Sequence, residues 1–301
     1  MKPTARNFTA ALISGAFYIL GFEKKATKKL LFSQAILPIY FHNPGKNEFH
    51  HAIKFLKKKG FKFISLNEFE MILDGKLPFP YGAVLLTADD GWETNFENMV
   101  PIANSEKVPI TIFVSTDGIE SGNYWFNYVK KATLCNLGFP DKEELKRITN
   151  EERLKKLEEI KTKISLEREA MTVVQVQEID KNPYVRIEAH SHIHPIMPQC
   201  TTQELYQDIE ECKTKLENWL GRKILSFAYP NGNFGNREKE ALSKFGFTSG
   251  FSNKPSIIFP HHLEDPFQIP RIGFLEGASK LENRLRMLGI WHTKTKKVFK
   301  K

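Results

Sequence analysis

Two short groups of residues in this chain have the types and spacing needed for hydrolytic chemistry. Asp89 and Asp90 stand side by side before Gly91, directly after the apolar run Ala83 to Leu86. Adjacent carboxylates repel one another unless a proton or cation intervenes, and a divalent ion resolves the conflict by taking one as ligand and leaving the other as base. An acidic turn or a helix cap is the other reading of Asp-Asp-Gly on its own. The second group is His190, Ser191, His192, Ile193, His194 and Pro195, where three of the nine histidines fall within five positions. Neutral imidazole is the commonest metal ligand, and two imidazoles four residues apart converge on one ion if the segment makes a helical turn. His190 and His194 have that spacing, and His192 between them points elsewhere. Together the groups predict Asp90, His190 and His194 as ligands of a divalent ion, with Asp89 as catalytic base. Three protein ligands leave coordination positions open, as a catalytic ion requires. Such an ion brings the pKa of a bound water to about 7 and polarises a carbonyl oxygen.

Both groups end β-like runs, so the elements that carry them decide whether they meet. From Ile36 onward, short β-rich runs alternate with amphipathic helical stretches. Strands are expected at Ile36–Phe41, Phe61–Ser65, Ala83–Ala88, Ile110–Ser115, Tyr184–Ala189, Ile224–Ala228 and Thr248–Phe251. Helices are expected near Phe49–Lys58, Glu68–Leu73, Asn95–Ser105, Thr202–Leu220 and Asn236–Phe245. The alternation lapses at about 117–170, where the aromatic run Tyr124 to Tyr128 precedes a Lys/Glu-rich stretch with apolar residues near helical spacing, the pattern of inserted surface helices. The fold expected is α/β, a distorted (β/α) barrel of about seven parallel strands with a helical insertion. In such folds ligands collect at the carboxyl ends of the strands. A third strand end carries Phe227, Ala228, Tyr229, Pro230, Asn231 and Gly232, where Pro and Gly impose a tight turn that can aim a backbone N–H at a developing oxyanion.

A chain of 301 residues, 41% hydrophobic and 12% aromatic, has enough apolar material for a large core, which excludes a disordered segment. Its +9 charge is concentrated at Lys24 to Lys29 and Lys294 to Lys301. These flanks suit an anionic membrane surface or an acidic polymer, or are solvated lysines on an ordinary surface. Without interleaved basic and aromatic residues, nucleic acid is not an expected partner. Cys135, Cys200 and Cys212 are odd in number and lack CxxC spacing, so neither a disulfide framework nor a thiolate zinc site is expected. Lys2 and Arg6 precede the mostly apolar run Phe8 to Phe22, broken by Thr9, Ser14 and Gly15, which falls short of the ~20 residues of a spanning helix. We read it as a helix lying in the membrane interface, with a degenerate signal anchor or a helix packed on the domain as alternatives. The division expected is a helical, membrane-associated segment over 1–34, a catalytic domain over 35–280 and a basic tail over 281–301. A membrane-associated or cytoplasmic location is favoured over a secreted or periplasmic one.

With the three segments in this order, the chain resembles the polysaccharide deacetylase family, carbohydrate esterase family 4, also called the NodB homology domain. The family's Thr-Phe-Asp-Asp-Gly motif is matched by Thr87, Ala88, Asp89, Asp90 and Gly91, and its His-(Ser/Thr)-x-x-His motif by His190, Ser191 and His194. The resemblance spans roughly Ile36 to Phe274. It implies Asp89 as base and Asp90, His190 and His194 as ligands of zinc or a related ion. The family's Phe-Arg-x-Pro-Tyr-Gly motif has Ala228 here for its Arg and Asn231 for its Tyr, so the group that orients the base is displaced. Arg271, in a Pro-Arg-Ile segment resembling that of exopolysaccharide-type members, is the substitute expected. The late Leu-x-x-His motif, source of a general acid, is missing, and His292 in the basic end is a poor replacement. His42 follows a strand resembling the one that opens many exopolysaccharide deacetylases, in which the element order is permuted. If that first strand closes the barrel beside the last, His42 reaches the site as acid. The activity implied is hydrolysis of N-acetyl groups of an amino-sugar polymer or oligosaccharide, with Asn231, Tyr229, Arg271 and Trp125 as substrate contacts. Alternatives are hydrolysis of O-acetyl esters or other non-peptide amides, or an inactive glycan-binding homologue.

Overall fold

The computed structural model describes residues 5–295. Eight strands form one sheet: β1 (Ile36–Phe41), β2 (Lys62–Ile64), β3 (Ala83–Asp90), β4 (Ile110–Val114), β5 (Val185–Ala189), β6 (Ser226–Ala228), β7 (Ser249–Phe251) and β8 (Ile272–Gly273). The strands pair in parallel in the order β7-β6-β5-β4-β3-β1-β8, and β2 lies against the first half of β3. The sheet curls back on itself through the segment ending in β8: Ile269 bridges to Phe251, and Ile272 pairs with Ile39 of β1. The seven strands of that order form the distorted barrel that the β/α alternation predicts, with β1 set between β3 and β8 and β2 off that path.

The two-residue period of a strand sorts its side chains between the barrel interior and the helical shell. In β3, Val84, Leu86 and Ala88 pack under the helices, whereas Ala83 and Leu85 join Ile36, Phe113, Ala228 and Phe251 inside. Continuing the inward register up β3 brings Thr87 and then Asp89 to the open end, and in β1 brings Tyr40 and His42. Small residues Ser226, Ala228 and Ser249 line β6 and β7, leaving room inside for Phe113 and Phe251. Outside, the helix Thr202–Leu220 buries Leu205, Ile209, Cys212 and Leu216, which recur at helical spacing. Thr201 accepts the Glu204 N–H at its start, and Gly221, at φ 66°, lets the chain leave its end. A fully buried leucine or isoleucine of this kind stabilises the fold by about 1.5–3 kcal/mol.

The inserted region forms the helices Thr116–Ser121, Trp125–Leu134, Lys142–Leu145 and Asn150–Lys161. It has its own small core, in which Trp125, Val129, Leu145, Leu157 and Ile160 pack with Ile196. Tyr124 and Trp125 are buried, so these two rings of the aromatic run are core rather than a platform for sugars. The stretch from residue 281, expected to be a basic tail, begins instead as helices, Lys280–Met287 and Ile290–Thr295. The reason is an apolar stripe among the basic residues: Leu285, Met287, Leu288, Ile290 and Trp291 are buried, while Arg284 and Arg286 pair with Glu23 and Glu282. Residues 296–301, the rest of that tail, and Lys2 lie outside the described residues. At the other end, the helices Ala5–Ile19 and Phe22–Leu31 pack on one another, and the first also packs on Lys280–Met287. No described helix is long and apolar enough to cross a membrane.

Candidate active site

The carboxyl ends of β1, β3, β5 and β6 open into a cavity of about 370 Å³, whose walls include His42, Asp89, Asp90, His190, His194 and Arg271. A regular strand would send Asp89 and Asp90 to opposite faces. Asp90 instead takes φ 77°, a left-handed conformation costly for a residue with a side chain, and both carboxylates reach the cavity. Gly91 continues the turn at φ 94°, where a Cβ would stand 2.9 Å from Val114 Cγ1 and 3.0 Å from Ile119 Cδ1. Ser191, His194 and Asn231 share the same unusual backbone region. Among the described residues, four of the six non-glycines with positive φ therefore sit in or beside this cavity.

His190 and His194 converge on Asp90, but not through the expected helical turn. The loop between them is irregular, bent by the positive φ of Ser191 and His194. The buried Asp208 carboxylate holds it by accepting the backbone N–H groups of His192 (3.0 Å) and Ile193 (2.9 Å). His192 turns away, to Thr116 and Glu211. Nε2 of His190 lies 3.5 Å, and Nε2 of His194 3.4 Å, from the same Asp90 oxygen. An ion with bonds of about 2.1 Å to tetrahedral N and O ligands would separate those ligands by roughly 3.4 Å, so the three side chains fit such an ion. A ring of supporting bonds orients them. Nδ1 of His190 donates to the Ala228 carbonyl at 2.7 Å, which turns Nε2 toward the site. The Trp92 indole N–H donates to the other Asp90 oxygen at 2.9 Å, the Tyr124 hydroxyl to the Asp90 carbonyl at 2.9 Å, and the Trp125 indole N–H to the His194 carbonyl at 2.9 Å.

Electrostatics divides the labour between the two imidazoles. Burial brings the His194 imidazole down to about 3, leaving it neutral. Burial also opposes charging of His190, but the carboxylates of Asp89 and Asp90 outweigh it and raise its pKa. For Asp90, burial is outweighed by the hydrogen bond from His190, which holds its carboxyl well below the usual range.

Asp89 is engaged by Arg271 in a two-pronged ion pair, Nη1 to Oδ1 and Nη2 to Oδ2, each 2.7 Å. The same guanidinium donates to Thr87 Oγ1 and to the Ser252 carbonyl, both at 3.1 Å, and lies over the Tyr40 ring. Burial would raise the Asp89 carboxyl; the Arg271 charge lowers it below the ordinary value. Arg271 is thus the residue whose guanidinium meets both Asp89 oxygens. His42 stands at the exposed rim, its ring edge-on to Tyr40 and its backbone N–H donating to Glu276. His292 lies in Ile290–Thr295, outside the cavity lining. Asn231 lines the cavity with a side-chain N–H group that is buried without a partner. Tyr229 is buried, stacked on Phe234 with its hydroxyl donating to the Phe267 carbonyl, so only part of it borders the cavity.

Sequence reasoning missed Trp92, Lys142 and Glu276, all of which line the cavity. Trp92 had a signal, as the residue directly after Asp-Asp-Gly. Lys142 in the insertion and Glu276 after β8 had none, because only folding brings them to the rim.

The sequence profile of the family described as polysaccharide deacetylase matches residues 76–250, more than half of the chain. A poly-beta-1,6-N-acetyl-D-glucosamine N-deacetylase of Staphylococcus aureus strain MSSA476 is 23% identical over 239 residues, covering 77% of this chain and 67% of that protein. Among solved structures, IcaB from Ammonifex degensii superposes with a TM-score of 0.63 at 18% identity, over 85% of this chain and 97% of that one. The Streptococcus pyogenes deacetylase PplD, in complex with acetate, does so with a TM-score of 0.62 at 17% identity, over 84% and 98%.

Proposed function

Because this chain belongs to the polysaccharide deacetylase family, we propose that it removes N-acetyl groups from a polymer of N-acetylglucosamine, the substrate class named for its staphylococcal relatives. It is a metal-dependent hydrolase of non-peptide carbon–nitrogen bonds, acting on a glycan. The observation that carries the reading is the convergence of Asp90, His190 and His194 beside a carboxylate, Asp89, that lies outside that group and is held by Arg271. We assign these three as ligands and zinc as the ion, given two imidazole nitrogens, one carboxylate oxygen and near-tetrahedral spacing.

A bound zinc supplies a Lewis acid that polarises the acyl oxygen and acidifies water. Asp89, kept ionised and fixed in direction by Arg271, takes one proton from the attacking water as its oxygen bonds to the acyl carbon. The unpartnered Asn231 N–H group is placed to donate to the oxyanion or to the sugar. His42, on the open side, gives a proton to the nitrogen as the carbon–nitrogen bond breaks, releasing the free amine and acetate. Trp125 and Tyr229 shape the cavity wall, and their polar atoms are directed to the carbonyls of His194 and Phe267.

The test is acetate release from N-acetylglucosamine oligomers by the zinc-loaded protein, with Asp89→Asn as control. Loss on the order of 10²–10⁴-fold in that variant, with zinc still bound, is expected for removal of a general base. Undiminished release by the variant, or release only from O-acetyl esters, would overturn the assignment.

A further inference from the structure

We propose that the outer face of the two N-terminal helices is a docking surface for an anionic lipid bilayer. The helix Ala5–Ile19 buries Ala10 and Ser14 against the body of the protein. On its opposite side, Phe8, Leu12, Ala16 and Ile19 follow one another at intervals of four, four and three residues, a continuous stripe along one helix face, and all are exposed. Leu20 and Phe32 extend this apolar surface. The five large side chains Phe8, Leu12, Ile19, Leu20 and Phe32 are 61–84% exposed, a concentration of apolar surface that a water-facing helix does not carry without a partner.

What surrounds the stripe identifies the partner. The next helix, Phe22–Leu31, turns its one acidic residue inward, where Glu23 is buried between Lys59 and Arg284. It presents Lys24, Lys25, Lys28 and Lys29 to solvent, and among the described residues no carboxylate lies within ion-pair distance of any of the four. Lys25 and Lys29 also rim an apolar groove of about 430 Å³ between this helix, the segment around Ile257 and the helix containing Ile290. Exposed Phe, Leu and Ile beside unpaired lysines with aliphatic stems match the two layers of a membrane interface: acyl chains for the stripe, anionic headgroups for the ammonium groups. A second protein copy would offer the same lysines and repel them.

The experiment is flotation of the full chain with vesicles of phosphatidylcholine alone and of phosphatidylcholine with one-quarter phosphatidylglycerol. The variants are Phe8→Ser with Leu12→Ser and Ile19→Ser, and Lys25→Glu with Lys29→Glu. Binding to the anionic vesicles is expected to exceed binding to neutral ones by about tenfold or more, and each variant set to lose it by a similar factor. Acetate release from a soluble oligomer, expected to be unchanged in both, reports that the barrel is still folded. Equal binding to both vesicle types, retained binding by both variant sets, or a stable dimer in light scattering that the serine variant dissociates would each overturn the proposal.

Discussion

Replacing Arg271 by Met would remove the cation that binds both oxygens of Asp89 and leave a carboxylate buried at the end of β3. Breaking a buried pair from one side costs about 3–5 kcal/mol, because the remaining charge loses its partner. The bonds to Thr87 and the Ser252 carbonyl go as well, and an unpaired buried acceptor adds roughly 1 kcal/mol. The pH dependence has a definite sign. In the parent protein the Asp89 pKa is lowered, so the pair contributes stability above the ordinary carboxylate value, and that contribution is lost as pH falls through the folded value. In the variant, burial is opposed only by the charges of His190 and His42, so the pKa rises relative to the parent and Asp89 takes up a proton in the native state earlier as the solution is acidified. The stability gap between the two metal-free proteins is therefore widest at neutral pH and narrows toward pH 4. Urea unfolding followed by tryptophan fluorescence at both values measures it. In the zinc-loaded enzyme the acid limb of kcat/KM moves to higher pH, and kcat falls by about 10²-fold or more as the base loses its direction. Arg271→Lys restores charge but not the two-pronged geometry, so it recovers stability better than rate. A loss below about 1 kcal/mol, with the acid limb unmoved, would refute the reasoning.

Zinc binding at a pH equal to the ordinary imidazole pKa of about 6.5 is expected to release a proton from His190, whose pKa is raised, and none from His194, which is already neutral. Affinity then weakens as pH falls. Calorimetry in two buffers of different ionisation enthalpy reads the proton count, and a count of zero contradicts the assignment. Trp92→Phe removes the N–H that holds the second Asp90 oxygen and is expected to weaken zinc binding about 10–100-fold with the fold intact; competition with a chromogenic chelator would expose an unchanged affinity. His42→Ala is expected to lower kcat on the amide by about 10²–10⁴-fold and to spare an acetyl ester whose leaving group needs no proton. Equal losses on both substrates would remove His42 from its role as acid.

Much of this protein is written locally. A two-residue hydrophobic period ending in Asp89 and Asp90, a second ending in His190, and helical stretches between them carry the barrel and the ligand triad on the chain itself, because strand polarity puts every strand's carboxyl end on one side. The conformations that finish the site are not local. Asp90, Ser191 and His194 adopt left-handed backbone only because neighbouring bonds, such as those to the Asp208 carboxylate, stabilise it. Nor does spacing reveal the pairing of Arg271 with Asp89 across 182 residues, or the approach of His42, Lys142 and Glu276 to one rim. Those depend on β8 docking against β1 and on the insertion folding over the barrel mouth. The sequence by itself determined which residues can do the chemistry, since side-chain type and strand period are properties of short segments. Closure of the barrel decided which distant residues hold them, since which segments face one another is settled only when the whole sheet buries its apolar face.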